Sequence, residues 1–173
     1  MIILLALLAA VFVHMTYKDI KVRLVFRRDL VALVVLRIVA LVVVLVGEYC
    51  FGVSSVLGLT NEQWGVRSLI LSIAMAFIIC AFVQGVAFVT NRLTNKYGAK
   101  EESIGLGDVK LYAACSLFLS VEAGLVFLFL SALVGALMAL YCKIIKKQRT
   151  FPFVPAIAWS CFAVLMVESL GLL

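Results

Sequence analysis

Apolar residues in this chain come in blocks too long for an ordinary soluble core, and the short stretches between them hold most of the charge. The blocks lie at roughly 1–17, 30–52, 66–90, 109–120, 123–142 and 153–171. A helix rises about 1.5 Å per residue, so about 20 apolar residues cross a hydrocarbon core about 30 Å thick. Lipid offers no partner to an open backbone, and blocks of this kind must therefore be helical. The pattern predicts an all-α polytopic membrane protein with about six transmembrane helices, forming a single domain over residues 1–173. The fourth block, about 12 residues, covers only part of the bilayer. Because it starts beside Asp108, that carboxylate is expected in a protein-lined or watery dip. Fusing the fourth and fifth blocks into one long helix is the alternative count; Glu122 and Gly124 argue for a break between them.

Composition agrees. Of 173 residues 66% are hydrophobic and 14% charged, with a mean hydropathy of +1.23. The net charge of +6 would suggest nucleic acid in a soluble protein, but here it marks topology. Lys18, Lys21, Arg23, Arg27 and Arg28 fill the first loop; Arg92, Lys96 and Lys100 the third, with Lys110 just beyond; Lys143, Lys146, Lys147 and Arg149 the fifth. Under the six-span count all of these share one side, which the positive-inside rule assigns to the cytoplasm, with the N-terminus outside. Residues Met1 to Met15 lack a basic leading region and a cleavage site, so a retained first helix is expected rather than a signal peptide. The cysteines (Cys50, Cys80, Cys115, Cys142 and Cys161) are scattered singly in or near apolar blocks. No metal-ligand spacing is present, and neither metal, cofactor nor nucleic acid is expected.

Two carboxylates carry the candidate chemistry. Asp108 follows Gly105-Leu106-Gly107 at the mouth of the fourth block, and Asp19 closes the first block. Both fall on the inferred cytoplasmic side. Two carboxylates sharing one proton can hydrolyse a peptide without a metal: the ionised one activates water and the protonated one donates to the carbonyl oxygen. Glycines at 105 and 107 lack a Cβ and would let an extended backbone approach. Bland readings exist for each acid. Asp108 could simply cap its helix, and Asp19 could be an interfacial charge balanced by Lys18 and Lys21. Asp29, a rival for the second acid, directly precedes the second block and reads more simply as a helix cap.

The string Ile104-Gly-Leu-Gly-Asp-Val-Lys-Leu111, followed by Tyr112-Ala-Ala114, resembles the GxGD segment of type IV prepilin peptidases, a family of membrane aspartic peptidases. Asp19-Ile-Lys-Val-Arg23 matches the family's first aspartate at the head of a basic stretch, and Pro152-Phe-Val-Pro155 resembles its Pro-Phe-Gly-Pro element. The chain departs from the family at Val25-Phe26-Arg27, where Ile-Pro-Asn is usual, and at Val154 in place of glycine. The resemblance implies an Asp19/Asp108 dyad that removes a short basic leader from a prepilin or pseudopilin precursor. Cleavage would occur at the cytoplasmic face of a prokaryotic plasma membrane. The chain resembles a compact form without the cysteine-bearing N-terminal segment of the larger bifunctional members, which implies peptidase activity and leaves N-methylation open.

Further residues are candidates for support. Glu101 and Glu102 form the only adjacent acidic pair and could receive a basic leader; Lys110 could steady the site's charge or snorkel to the interface. Pro152 and Pro155 would leave non-helical backbone for an extended substrate, or merely end a loop. Arg37 and Glu48, inside the second block, are each expected to face the bundle interior or a neighbour. Ser131 and Gly135, four residues apart, could permit close helix contact, and His14 reads as interfacial. Two other readings compete. One is a presenilin-like intramembrane protease, disfavoured because Lys18 separates Tyr17 from Asp19; the other is a non-catalytic scaffold or small transporter.

Overall fold

A computed structural model describes residues 2–22, 27–51, 55–56, 59–60, 64–96, 105–144 and 152–172. The helices are α1 (Ile2–Val22), α2 (Arg27–Phe51), α3 (Val66–Lys96), α4 (Leu106–Ser116), α5 (Val121–Ile144) and α6 (Val154–Ser169). A two-stranded antiparallel hairpin, β1 (Ser55–Val56) and β2 (Leu59–Thr60), packs against α2. Each expected block is a helix, and the protein is an all-α polytopic membrane protein. The expected count of six spans needs correction, however. Among the described residues four helices are long and apolar enough to cross a bilayer: α1, α2, α3 and α5. Helix α4 has 11 residues and α6 has 16.

The two short helices form the centre. Helix α4 packs on α2, α3 and α6, while α6 packs on α1, α4 and α5. Their surroundings are protein on most sides, so buried residues run nearly all the way round them. The long helices behave differently. On α1 the buried residues Leu4, Leu8, Phe12, Met15 and Asp19 recur at helical spacing and form one inward stripe. Ile3, Leu7, Val13 and Tyr17 face outward and are exposed, as a lipid-facing surface should be.

In lipid the transfer of apolar surface gives little drive for association, so close packing and hydrogen bonds between helices carry the fold. Gly124 shows the closeness. A Cβ there would lie 3.2 Å from Met75 Cε and Cγ on α3, tighter than ordinary contact. Ser72 Oγ donates to Leu119 O at 3.0 Å, fixing the turn between α4 and α5. That turn (117–120) is the break expected at Glu122 and Gly124, and the fused-helix alternative is excluded. At the start of α5, Ser120 Oγ accepts the Ala123 N–H at 3.3 Å, an N-cap bond.

Candidate functional site

Asp19 lies within α1, because the helix continues past the apolar block to Val22. Lys18, Asp19, Ile20 and Lys21 contain no helix breaker, so the apolar run ends before the helix does. The side chain points inward, and only 6% of the residue's surface is exposed. Its Oδ2 accepts the backbone N–H of Val154 at 3.2 Å. Val154 opens α6, whose N-cap residue Phe153 makes no side-chain cap bond. Asp19 therefore caps α6 from another helix, across 135 residues of sequence. The partial positive charge of a helix N-terminus favours an anion there. Pro155, buried in the first turn of α6, costs nothing at that position, where its missing N–H would have had no helical partner.

Asp108 lies in the first turn of α4, three residues inside its N-cap, Gly105, and outside the four membrane-crossing helices. It is not the cap residue; the helix begins at Leu106, earlier than the apolar block suggested. Its carboxyl turns back to accept the N–H of Gly105, and lies close enough to Asp19 to feel that charge. Burial is the largest influence on its proton affinity and Asp19 the next; both raise it, against the opposing Gly105 bond. The net result is a carboxyl pushed up to about 6. The fold thus brings within electrostatic reach two acids 89 positions apart.

The groups around them bind both helices into one frame. Tyr112, one turn beyond Asp108 on α4, is buried and donates to Ser131 Oγ at 2.9 Å on α5. Its ring lies against Phe127 and Phe153, with centroids 5.4 and 6.2 Å away. Phe153 seats in the notch at Gly135, where a Cβ would collide with its ring. The small pair Ser131 and Gly135 on α5 therefore receives one aromatic side chain from α4 and another from the head of α6. Sequence reading found the small pair but not its guests. Tyr112 could have been found, since four residues past Asp108 is the same helix face.

Other candidates fall elsewhere. Asp29 is buried in the first turn of α2, with its Oδ1 3.5 Å from Lys18 Nζ and 3.8 Å from His14 Nε2. It ties α1 to α2 and is engaged away from α6. Lys110 is exposed, Gly107 and Pro152 are half-buried, and Glu101 and Glu102 lie outside the described residues. At Gly105 a Cβ would meet Asp108 Oδ2 at 3.7 Å, an ordinary contact, so nothing inside the folded chain demands glycine there. Among the described residues no group of three His, Cys, Asp or Glu gathers as a metal site.

Comparison with known families gives one result. The model of the type IV leader peptidase family matches residues 6–140, a range that contains both aspartates. No curated protein and no solved structure matches the chain.

Proposed function

The chain belongs to the type IV leader peptidase family, and from that premise we propose that it is an aspartic endopeptidase working through Asp19 and Asp108. The protein is a multi-pass membrane peptidase, and the family acts on prepilin-type precursors. The observation that carries the dyad is the mutual environment of the two acids. One carboxylate is held by a helix N-terminus, while the other is half-buried, raised and electrostatically coupled to the first.

This asymmetry divides the labour. Asp19, accepting the Val154 N–H, is the ionised partner that takes a proton from the attacking water. Asp108, whose carboxyl holds its proton to about pH 6, donates to the carbonyl oxygen of the scissile amide. The pair shares one proton because two adjacent charges resist ionising together. Water adds to the carbonyl to give a tetrahedral diol; as the C–N bond breaks, Asp19 passes its proton to the leaving amine and Asp108 recovers one from a diol hydroxyl, which restores the pair. Gly105 and Gly107 add no side chain of their own beside Asp108, and Pro152 and Pro155 at the head of α6 support an extended substrate backbone.

The substrate is a precursor with a short basic leader ahead of a hydrophobic helix, cut at the cytoplasmic face of a prokaryotic plasma membrane. The basic stretches that follow α1 and α3 share one side when α2 and α3 both cross, and they support that orientation by the positive-inside rule. Glu101 and Glu102 receive the leader, and Lys110 lies at the interface beside the site. The test is direct: purified protein in proteoliposomes is mixed with such a precursor and the products are weighed by mass spectrometry. Release of the intact leader supports the reading. A folded protein that yields no cleavage product would leave a scaffold or transporter as the better account.

A further inference from the structure

Among the described residues Arg37 is the largest fully buried side chain, with 1% of its surface exposed. It sits ten residues into α2, a helix of strongly apolar character. A charge in such a place is costly and calls for a specific reason. The reason lies in its partners. Nε donates to the carbonyl of Leu117 at 2.8 Å, and one terminal nitrogen donates to the carbonyl of Trp64 at 3.1 Å. The other reaches Ser68 Oγ at 3.4 Å, and the guanidinium lies 4.9 Å from the Trp64 ring centroid. Leu117 is the C-cap of α4, the same helix that carries Asp108 in its first turn.

The last carbonyls of a helix have no intrahelical donor, and in hydrocarbon an unpaired carbonyl is expensive. Helix α4 ends inside the bundle; the turn beyond it satisfies Cys115 O and Ser116 O through the N–H groups of Phe118 and Leu119, and the C-cap carbonyl of Leu117 takes its donor from another helix. Arg37 is that donor, from α2, and Ser72 on α3 holds the turn just beyond through Leu119 O. A cation at this end also complements the helix dipole. The planar fork of arginine reaches three acceptors at once, which a lysine cannot do. Helix α4 is a short continuous rod, and Asp108 lies nine residues, about 14 Å, from the clamped end. Fixing that end fixes the height at which Asp108 meets Asp19.

We propose that Arg37 is a positioning residue for the aspartate pair: by clamping the C-terminal end of α4 to α2 and the head of α3, it sets Asp108 opposite Asp19. The inference rests on the aspartic-peptidase reading for its kinetic consequence, but not for its geometric one.

The test has two arms. In the first, Arg37→Met and Arg37→Lys are assayed for precursor cleavage, with rates normalised to folded protein. We expect kcat to fall at least tenfold in Arg37→Met with KM within about twofold, and Arg37→Lys to lie between it and the native protein. In the second arm, the five cysteines are replaced by alanine, Asp19→Cys and Asp108→Cys are introduced, and a short bifunctional thiol reagent measures their proximity. Adding Arg37→Met should lower the cross-linking yield at least fivefold. If Arg37→Met does not fold, Ser72→Ala removes the neighbouring clamp bond and should lower both readouts severalfold. Native kcat and native cross-linking in the folded variants would overturn the proposal. If the native protein cleaves nothing, the peptidase reading falls, while the cross-linking arm still decides the role of Arg37.

Discussion

Replacing Asp108 by asparagine should make the protein more stable at neutral pH while abolishing its activity. The carboxyl moves from an ordinary 3.8 to about 6, mainly by burial and then by the charge of Asp19. At about 1.4 kcal/mol per pH unit, that displacement corresponds to about 3 kcal/mol. The sign follows from linkage. The folded chain holds this proton more tightly than the unfolded chain, so the favourable contribution is complete below about pH 4. It is lost as pH rises through about 6, where the folded carboxyl must ionise in its half-buried site beside Asp19. An asparagine side chain cannot ionise, and its amide oxygen can still accept the Gly105 N–H. Equilibrium unfolding of both proteins in mixed micelles, from pH 4 to pH 8, is the assay. The variant should match the native protein near pH 4 and exceed it by about 3 kcal/mol near pH 8. A stability difference that does not change with pH would refute the coupling of burial and charge at this position.

Further outcomes follow from the same geometry. The kcat/KM profile should fall on its alkaline side with a midpoint near the raised value of about 6, because Asp108 must enter the reaction protonated; a midpoint near 4 would contradict its role as acid. Gly135→Ala should cost about 1–3 kcal/mol by forcing a methyl group into the Phe153 ring, and Phe153→Leu in the same chain should recover part of the loss in unfolding experiments. Reversing Glu101 and Glu102 to lysine should raise KM about tenfold for a precursor with a basic leader and leave a neutral-leader precursor unaffected, as steady-state assays would reveal.

The distribution of helices was legible because runs of about 20 apolar residues have one stable form in lipid. Asp19 and Asp108 were legible as ionisable groups at the borders of such runs. Less visible was where helices begin and end. Apolar blocks report where lipid or protein covers a segment, whereas Lys18 to Val22 stay helical past that cover, and α4 opens before Asp108 with a partly exposed turn. The hairpin at 55–60 was not anticipated, since two-residue strands carry no period. Long-range contacts were hidden altogether. The bond from Val154 to Asp19, the seat of Phe153 on Gly135, and the clamp from Arg37 to Leu117 all join residues far apart in sequence. Sequence pattern could say that Arg37 faces inward, but not that it closes the end of the helix bearing Asp108.

A double-mutant cycle on cleavage rate tests the pairing of the two acids most directly. Asp19→Asn, Asp108→Asn and the double variant are assayed against one precursor, each confirmed as folded. Groups that act as a unit lose their function together, so each single change should lower kcat by about 1000-fold or more and the double change should lower it no further. Losses that multiply, or a near-native rate in either single variant, would show that these carboxylates do not share the reaction.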